Sequence, residues 1–169
     1  MHKVSLRLWF HRLAPFFLCL LLILCHLVPY HFLPYYGYSI QWTFIPIFYF
    51  AIYNPKCLSA WAVFVLGCIS ELLIQSPLGV TIFEFVLVFF VANFLRKYLI
   101  ELTFIPLWIV FSALLLVVEL SSYALTSVLA QYPVAFQPIF VEFWVLALIY
   151  PFLMRFCAHL DRKVREAAL

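Results

Sequence analysis

The stretch TFIPLWIVFSALLLVVELSSYALTSVL, from Thr103 to Leu129, decides the fold class. It contains one charged residue, Glu119, and no lysine or arginine. A helix needs about 20 apolar residues to cross roughly 30 Å of hydrocarbon, and this stretch is longer than that. Its apolar residues do not alternate with polar ones, as they do in the strands of a membrane barrel. The stretch therefore predicts a membrane-spanning helix.

The composition of the whole chain agrees with this interpretation. Of the 169 residues, 68% are hydrophobic and 10% are charged, whereas soluble domains are roughly 45–50% apolar and about 25% charged. A soluble chain of this size has too much surface to hide so many apolar side chains. A soluble domain, a disordered chain and a collagen-like fibre are therefore excluded. The remaining class is an all-α polytopic membrane protein.

Charges, prolines and polar clusters divide the chain into six predicted spans within a single membrane domain, residues 1–169. The predicted spans cover residues 14–33, 39–53, 58–74, 80–95, 103–129 and 139–158, and a basic tail, 159–169, follows. The second span is short, and we expect Pro46 to interrupt it. Spans two and three are both short, and together they could form a re-entrant hairpin instead of crossing fully.

The basic residues predict the orientation. With six spans, all ten lie on one side: Lys3, Arg7, Arg12, Lys56, Arg96, Lys97, Arg155, Arg162, Lys163 and Arg165. The loops on the other side, near 34–38, 75–79 and 130–138, carry none. Loops rich in lysine and arginine stay in the cytoplasm. Both termini are therefore predicted to be cytoplasmic, and we call the opposite side the outer side.

Four carboxylates inside the predicted spans are the first functional candidates: Glu71, Glu84, Glu119 and Glu142. A charged side chain at the bilayer centre costs roughly 2.5–3.5 kcal/mol. All four fall in the outer half, where no lysine or arginine can pair with them. In one interpretation they line an outward-facing cavity or meet a basic or hydrogen-bonding segment of a partner. In the other they are protonated, or bonded to neighbouring hydroxyl and backbone groups.

Glu71 has a specific neighbour in sequence, the turn between spans three and four. Pro77 fixes its own φ angle there, and Gly79 allows backbone conformations that other residues avoid. The Glu71 carboxylate lies one or two helical turns earlier. It could accept hydrogen bonds from backbone N–H groups at the start of span four, where the helix dipole favours negative charge. The turn therefore predicts a structural clamp between these spans.

We predict no catalytic, cofactor or metal site. The sequence contains no G-x-S-x-G, H-E-x-x-H or P-loop motif. Its five cysteines form no C-x-x-C pair and are interpreted as small apolar residues. His26 and His31 are five residues apart, which is not the i,i+4 spacing of a helical metal pair. We expect neither a cofactor nor a nucleic-acid partner.

Residues at fixed spacing surround the same turn: Pro55, Phe64, Gly67, Glu71, Leu78 and Gly79. This pattern resembles the bacterial rod-shape-determining MreD family. That family shows a proline after span two, then Phe-x-x-Gly-x-x-x-Asp and a later Leu-Gly pair. Glu71 stands where the family usually has aspartate, and Gln75 stands where a glycine is common. Glu119 in span five and Pro151 before the basic tail also fit the family layout.

The resemblance implies a non-enzymatic scaffold of the cell-elongation machinery in the bacterial inner membrane, required for rod shape and side-wall peptidoglycan synthesis. It implies a complex with the membrane-anchored protein MreC and, through that complex, action with MreB, RodA and the elongation transpeptidase. The cytoplasmic basic residues would then lie against anionic lipid of the bilayer or against filament. The structural or partner-coupling candidates are Pro55, Gly67, Glu71, Pro77, Leu78, Gly79, Glu119 and Pro151.

The resemblance also implies a fold similar to the S-components of energy-coupling-factor transporters. The first alternative is therefore a small-molecule-binding subunit of a transporter. Such subunits usually carry small residues on span one, whereas this chain has the bulky Phe16 and Phe17 there. The second alternative is a membrane-embedded enzyme, for which no supporting group of residues is found.

Overall fold

The computed structural model describes residues 2–26, 40–55, 57–74, 79–130 and 137–166, without the side chains of 2–12, 26, 129–130, 137–139 and 164–166. This part of the chain forms six helices and no strand. The helices are α1 His2–His26, α2 Phe44–Tyr53, α3 Ala60–Ile74, α4 Val80–Leu99, α5 Phe104–Ala130 and α6 Gln137–Glu166. The prediction of an all-α fold is confirmed.

Two helices are long and apolar enough to cross a membrane: Phe104–Val128 within α5 and Phe140–Lys163 within α6. Shorter apolar helices cover Leu13–Cys25, α2 and α3. α6 continues as a helix through Pro151 to Glu166, so its helix extends into the predicted tail. That all six helices cross the bilayer stays a prediction.

The shortest helix, α2, lies at the centre of the described bundle. Every residue from Phe44 to Ile52 is buried, because α2 packs against α1, α4 and α6. The Phe44 ring meets the ring of Phe85 on α4 with centroids 5.6 Å apart. The Phe48 ring contacts Phe111 on α5 at 5.1 Å. These edge-to-face contacts add to the energy of apolar burial.

Pro46 does not interrupt this helix, so that expectation is wrong. Thr43 is the N-terminal cap of α2, which places Pro46 in the first turn. The first four N–H groups of a helix have no partner within it. The missing N–H of a proline therefore breaks no helical hydrogen bond at this position.

Hydrogen bonds at its two ends fix the direction of α2. Just before α2, the Gln41 backbone N–H donates to Glu142 at 2.8 Å and the Gln41 side-chain amide donates to Glu84 at 3.2 Å. Both acceptors lie near the starts of their helices, α6 and α4. At the far end, the carbonyl of Ile52 accepts a bond from Arg96 near the end of α4. α2 and α4 are therefore parallel.

Hydrogen bonds between helix ends also give the directions of α5 and α6. Asn54 after α2 bonds to Asp161 late in α6, so α6 runs in the same direction as α2. Ser122, late in α5, bonds to Glu84 early in α4, so α5 runs in the opposite direction. We call the end that holds Gln41, Glu84 and Glu142 the carboxylate end. The basic end is the opposite one, which holds Arg96, Lys97, Arg162 and Lys163.

Candidate functional site

The junction of α3 and α4 is built on the carboxylate of Glu71. This side chain is 3% exposed, and each of its oxygens accepts one backbone hydrogen bond. Oε2 accepts from the N–H of Gly79 at 2.9 Å, and Oε1 accepts from the N–H of Ile82 at 3.0 Å. Gly79 caps α4 but has no side chain to satisfy these groups. A neighbouring helix therefore supplies the cap, and the predicted hydrogen bonds are confirmed.

Two glycines shape the same junction for different reasons. A Cβ atom on Gly67 would lie 2.8 Å from the Cα atom of Ile82, so α3 and α4 approach closely here. Gly79 has a φ angle of +96°, in the left-handed region that side chains disfavour. No atom lies within 4 Å of a Cβ built there. Gly67 is thus required for space and Gly79 for its backbone angle.

The remaining candidates occupy separate places. Pro55 lies in the turn that follows α2, and Pro151 lies inside α6. Pro77 and Leu78 lie outside the described residues. The structure therefore brings Gly67, Glu71 and Gly79 together at one junction.

A second polar group lies at the carboxylate end. Gln41 links Glu84 to Glu142 through its side chain and its backbone N–H, and the Ser122 hydroxyl also bonds to Glu84. Glu119 is 7% exposed and interacts electrostatically with Glu84 and Glu142. We call these five residues, Gln41, Glu84, Glu119, Ser122 and Glu142, the acidic cluster. Sequence reasoning found its three carboxylates but missed Gln41 and Ser122.

Two oxygens of the acidic cluster lack a hydrogen-bond partner although they are shielded from solvent. They are Oε1 of Gln41 and Oε1 of Glu119. Buried polar atoms are usually paired, because an unpaired one loses its bonds to water without compensation. Within the described part of the chain, no group of three His, Cys, Asp or Glu side chains is placed to hold a metal ion.

A third feature lies near the basic end, where α1, α2 and α6 border an open cavity of about 330 Å³. Its wall includes Phe17, Leu21, Phe50 and Leu160, and its acidic member, Asp161, already bonds to Asn54. Specific sites for polar small molecules combine an apolar wall with several convergent polar groups. This cavity does not have that composition.

Helices with apolar outer faces that surround the buried helix α2, together with buried polar junctions, are features of a helical membrane protein. The profile of the family described as rod shape-determining protein MreD matches residues 7–160 of the chain. The chain therefore belongs to the MreD family and is a membrane protein with a role in rod-shape determination. The match includes every candidate residue from Pro55 to Pro151. No curated protein and no solved structure matches the chain.

Proposed function

We propose that the chain is a non-enzymatic, multi-pass scaffold of the cell-elongation machinery in the bacterial inner membrane. In this proposal it binds the membrane-anchored protein MreC. Through that complex it acts with MreB, RodA and the elongation transpeptidase in side-wall peptidoglycan synthesis. The observation that carries the proposal is the match of the MreD profile to residues 7–160.

The directions of the helices support a multi-pass arrangement. α2, α4 and α6 run one way, and α5 runs the other. Alternating directions are expected when successive helices cross a bilayer in turn. α2, with ten residues, is only about 15 Å long. Because α2 is buried inside the bundle, protein rather than lipid surrounds it, and non-helical backbone is tolerated at membrane depth where protein buries it.

Large apolar side chains on the outer faces support the scaffold role. Trp61 on α3 is 78% exposed, Phe94 on α4 is 83% exposed, and Phe152 on α6 is 78% exposed. In a bilayer such faces contact lipid tails or the spans of other proteins. Helix association in membranes depends on close packing rather than on a hydrophobic driving force. A rigid junction such as the one at Glu71 would keep these faces in a fixed arrangement for a partner.

The similarity to S-components of energy-coupling-factor transporters stays a prediction, as does the single-domain interpretation of residues 1–169. The apolar lining of the cavity near the basic end argues against a polar small molecule there. The proposed function therefore does not depend on a transported ligand.

Depletion of the protein in its source bacterium tests the proposal. We expect depleted cells to widen and lose their rod shape, and a plasmid copy of the wild-type gene to restore the cell width. Normal rods after verified depletion would contradict the role in elongation. Co-purification of the chain with tagged MreC from the same membranes tests the complex separately.

Topology is tested by labelling single introduced cysteines in a background without the five native ones. A membrane-impermeant maleimide added to spheroplasts should label a cysteine at position 133, in the segment between α5 and α6. It should not label one at position 101, between α4 and α5, until the membrane is permeabilised. Equal labelling of both positions would contradict the six-span arrangement.

A further inference from the structure

The acidic cluster has an excess of hydrogen-bond acceptors over donors. Its three carboxylates come from three different helices, α4, α5 and α6. Among the residues that the structure describes, the donors that reach them are the two N–H groups from Gln41 and the hydroxyl of Ser122. Oε1 of Glu119 and Oε1 of Gln41 receive none. The cluster therefore has unused acceptors on a side chain, Glu119, that is more than nine-tenths buried.

No lysine or arginine occurs in the parts of the sequence that form this cluster. None occurs between Arg12 and Lys56, between Lys56 and Arg96, or between Lys97 and Arg155. Arg96 is engaged at the opposite end of α4, with the carbonyl of Ile52. The side chains of the two histidines nearest in sequence to the carboxylate end, at 26 and 31, lie outside the described part.

The type of missing ligand follows from the acceptors. A metal ion needs several ligands converging on one point, and the described acidic groups do not converge in that way. A positively charged group with N–H donors can instead bond separately to oxygens that lie some distance apart. Charge-assisted hydrogen bonds to carboxylates are about twice as strong as neutral ones. An alkylammonium or guanidinium group is therefore the matching ligand.

The depth of the cluster favours a side chain of another protein over a lipid headgroup. Glu119 lies about 16 Å from the C-terminal end of α5 at the helical rise of about 1.5 Å per residue. Amine headgroups stay at the bilayer surface, whereas lysine and arginine extend a long apolar stem along neighbouring helices. Glu142 and Gln41 are only partly buried, which leaves a side of the cluster open to approach.

We infer that the acidic cluster binds one lysine or arginine side chain from the membrane-anchored partner of the proposed complex. This inference rests on the proposed function, and it adds the chemistry by which the partner is held. The cationic group bonds to the carboxylate of Glu119, whose Oε1 atom lacks a hydrogen-bond partner. Binding neutralises part of the acidic charge. The partner thereby stabilises the bundle, because it pairs an acceptor of the acidic cluster that the chain's own donors leave unpaired.

The first experiment measures partner affinity in nanodiscs made of phosphatidylglycerol and phosphatidylcholine, which contain no primary amine. Glu119→Gln and Glu142→Gln keep the side-chain size but remove the charge. We expect Glu119→Gln to weaken binding of the partner about tenfold or more, because a buried charge pair loses one member. Glu142→Gln should weaken it less, because Glu142 is only partly buried and does not contact the cation. The matched control is Glu101→Gln, which removes an exposed carboxylate outside the cluster. We expect it to leave the affinity within about twofold.

The second experiment needs no partner. The thermal midpoint of the isolated wild-type chain is measured in detergent with methylammonium chloride or with tetramethylammonium chloride at the same concentration. Methylammonium has N–H donors and should raise the midpoint by about 3 °C, since a ligand that binds only the folded state stabilises it. Tetramethylammonium has the charge but no N–H, and should give no rise. Glu119→Gln should abolish the methylammonium effect.

The outcomes separate the inference from the function on which it rests. Equal partner affinity of wild type, Glu119→Gln and Glu142→Gln would overturn the inference, because the cluster would then be a closed network of protonated carboxyls. A midpoint that rises with phosphatidylethanolamine while partner affinity stays constant in all variants would assign the site to lipid and overturn it too. Absence of any binding between the wild-type chain and the partner would contradict the proposed complex and the source of the cation. The methylammonium response would still report whether the acidic cluster binds a cation, because that measurement does not involve the partner.

Discussion

The carboxylate of Glu71 on α3 accepts a hydrogen bond from the backbone N–H of Gly79, the residue that precedes α4, at 2.9 Å. Helix starts expose N–H groups that need acceptors, and a glycine cap offers no side-chain oxygen of its own. Glu71 therefore joins two helices through the end of one of them. A negative charge at this position also interacts favourably with the dipole of α4.

Replacement of Glu71 tests this clamp. Glu71→Leu leaves the N–H groups of Gly79 and Ile82 without their acceptor in a buried site, and we expect a loss of about 3 kcal/mol of unfolding free energy. Glu71→Gln retains one acceptor oxygen and should lose less. The measurement is the thermal midpoint in detergent, followed by tryptophan fluorescence, together with the yield of folded protein. Glu101→Leu, at an exposed position, is the control. If Glu71→Leu unfolds at the wild-type temperature, the clamp has no structural role.

Gly67 gives a prediction whose sign is opposite to that of helix propensity. In an exposed helix, replacing glycine with alanine stabilises by up to about 1 kcal/mol. At Gly67 the added Cβ would lie 2.8 Å from the Cα atom of Ile82, so the helices must separate. We expect Gly67→Ala to destabilise the chain by about 1–3 kcal/mol, as measured by thermal unfolding. Ala60→Val, an enlargement at an exposed position of α3, should change it little. A Gly67→Ala protein more stable than wild type would show that α3 and α4 are far enough apart to accommodate the added Cβ atom.

The contacts around Glu71 could be predicted from sequence because they are local. Gly79 and Ile82 are only 8 and 11 residues away from it. The all-α class was equally accessible, since it follows from composition and from the length of the apolar stretches. These features depend on the order of residues along a short part of the chain.

The acidic cluster was only half predictable for the opposite reason. Gln41 bonds to residues 43 and 101 positions away, and a single glutamine in an apolar stretch gives no indication of such partners. Its role depends on the parallel packing of α2 with α4 and α6. The burial of α2 likewise depends on its neighbours, because a ten-residue apolar helix looks the same in sequence whether protein or lipid surrounds it.

Gly79 allows backbone strain to be measured without a clash. Its φ angle is +96° and no atom lies within 4 Å of an added Cβ. The free-energy cost of Gly79→Ala therefore comes only from holding alanine in the left-handed conformation. We expect a loss of about 1–2 kcal/mol. Gly79→Asn should cost less, because asparagine tolerates this region better than other side chains. The thermal midpoint should therefore decrease from wild type to Gly79→Asn and again to Gly79→Ala. Equal midpoints for Asn and Ala would indicate that the angle is not the reason for glycine.

Arg96 bonds to the end of α2 that lies at the basic end of the bundle. Variants at this position can distinguish the effect of that hydrogen bond from a general effect of charge. Its Nε–H donates to the carbonyl of Ile52 at 2.7 Å, one of the last carbonyls of α2, which have no partner within the helix. We expect Arg96→Ala to cost about 1–2 kcal/mol. Arg96→Lys should recover little, because lysine has no donor at the position of Nε. Lys97→Ala removes the same charge from an exposed neighbour and should leave the thermal midpoint near that of wild type. Equal losses for the Arg96 and Lys97 alanine variants would attribute the effect to the charge of the basic end rather than to the bond with Ile52.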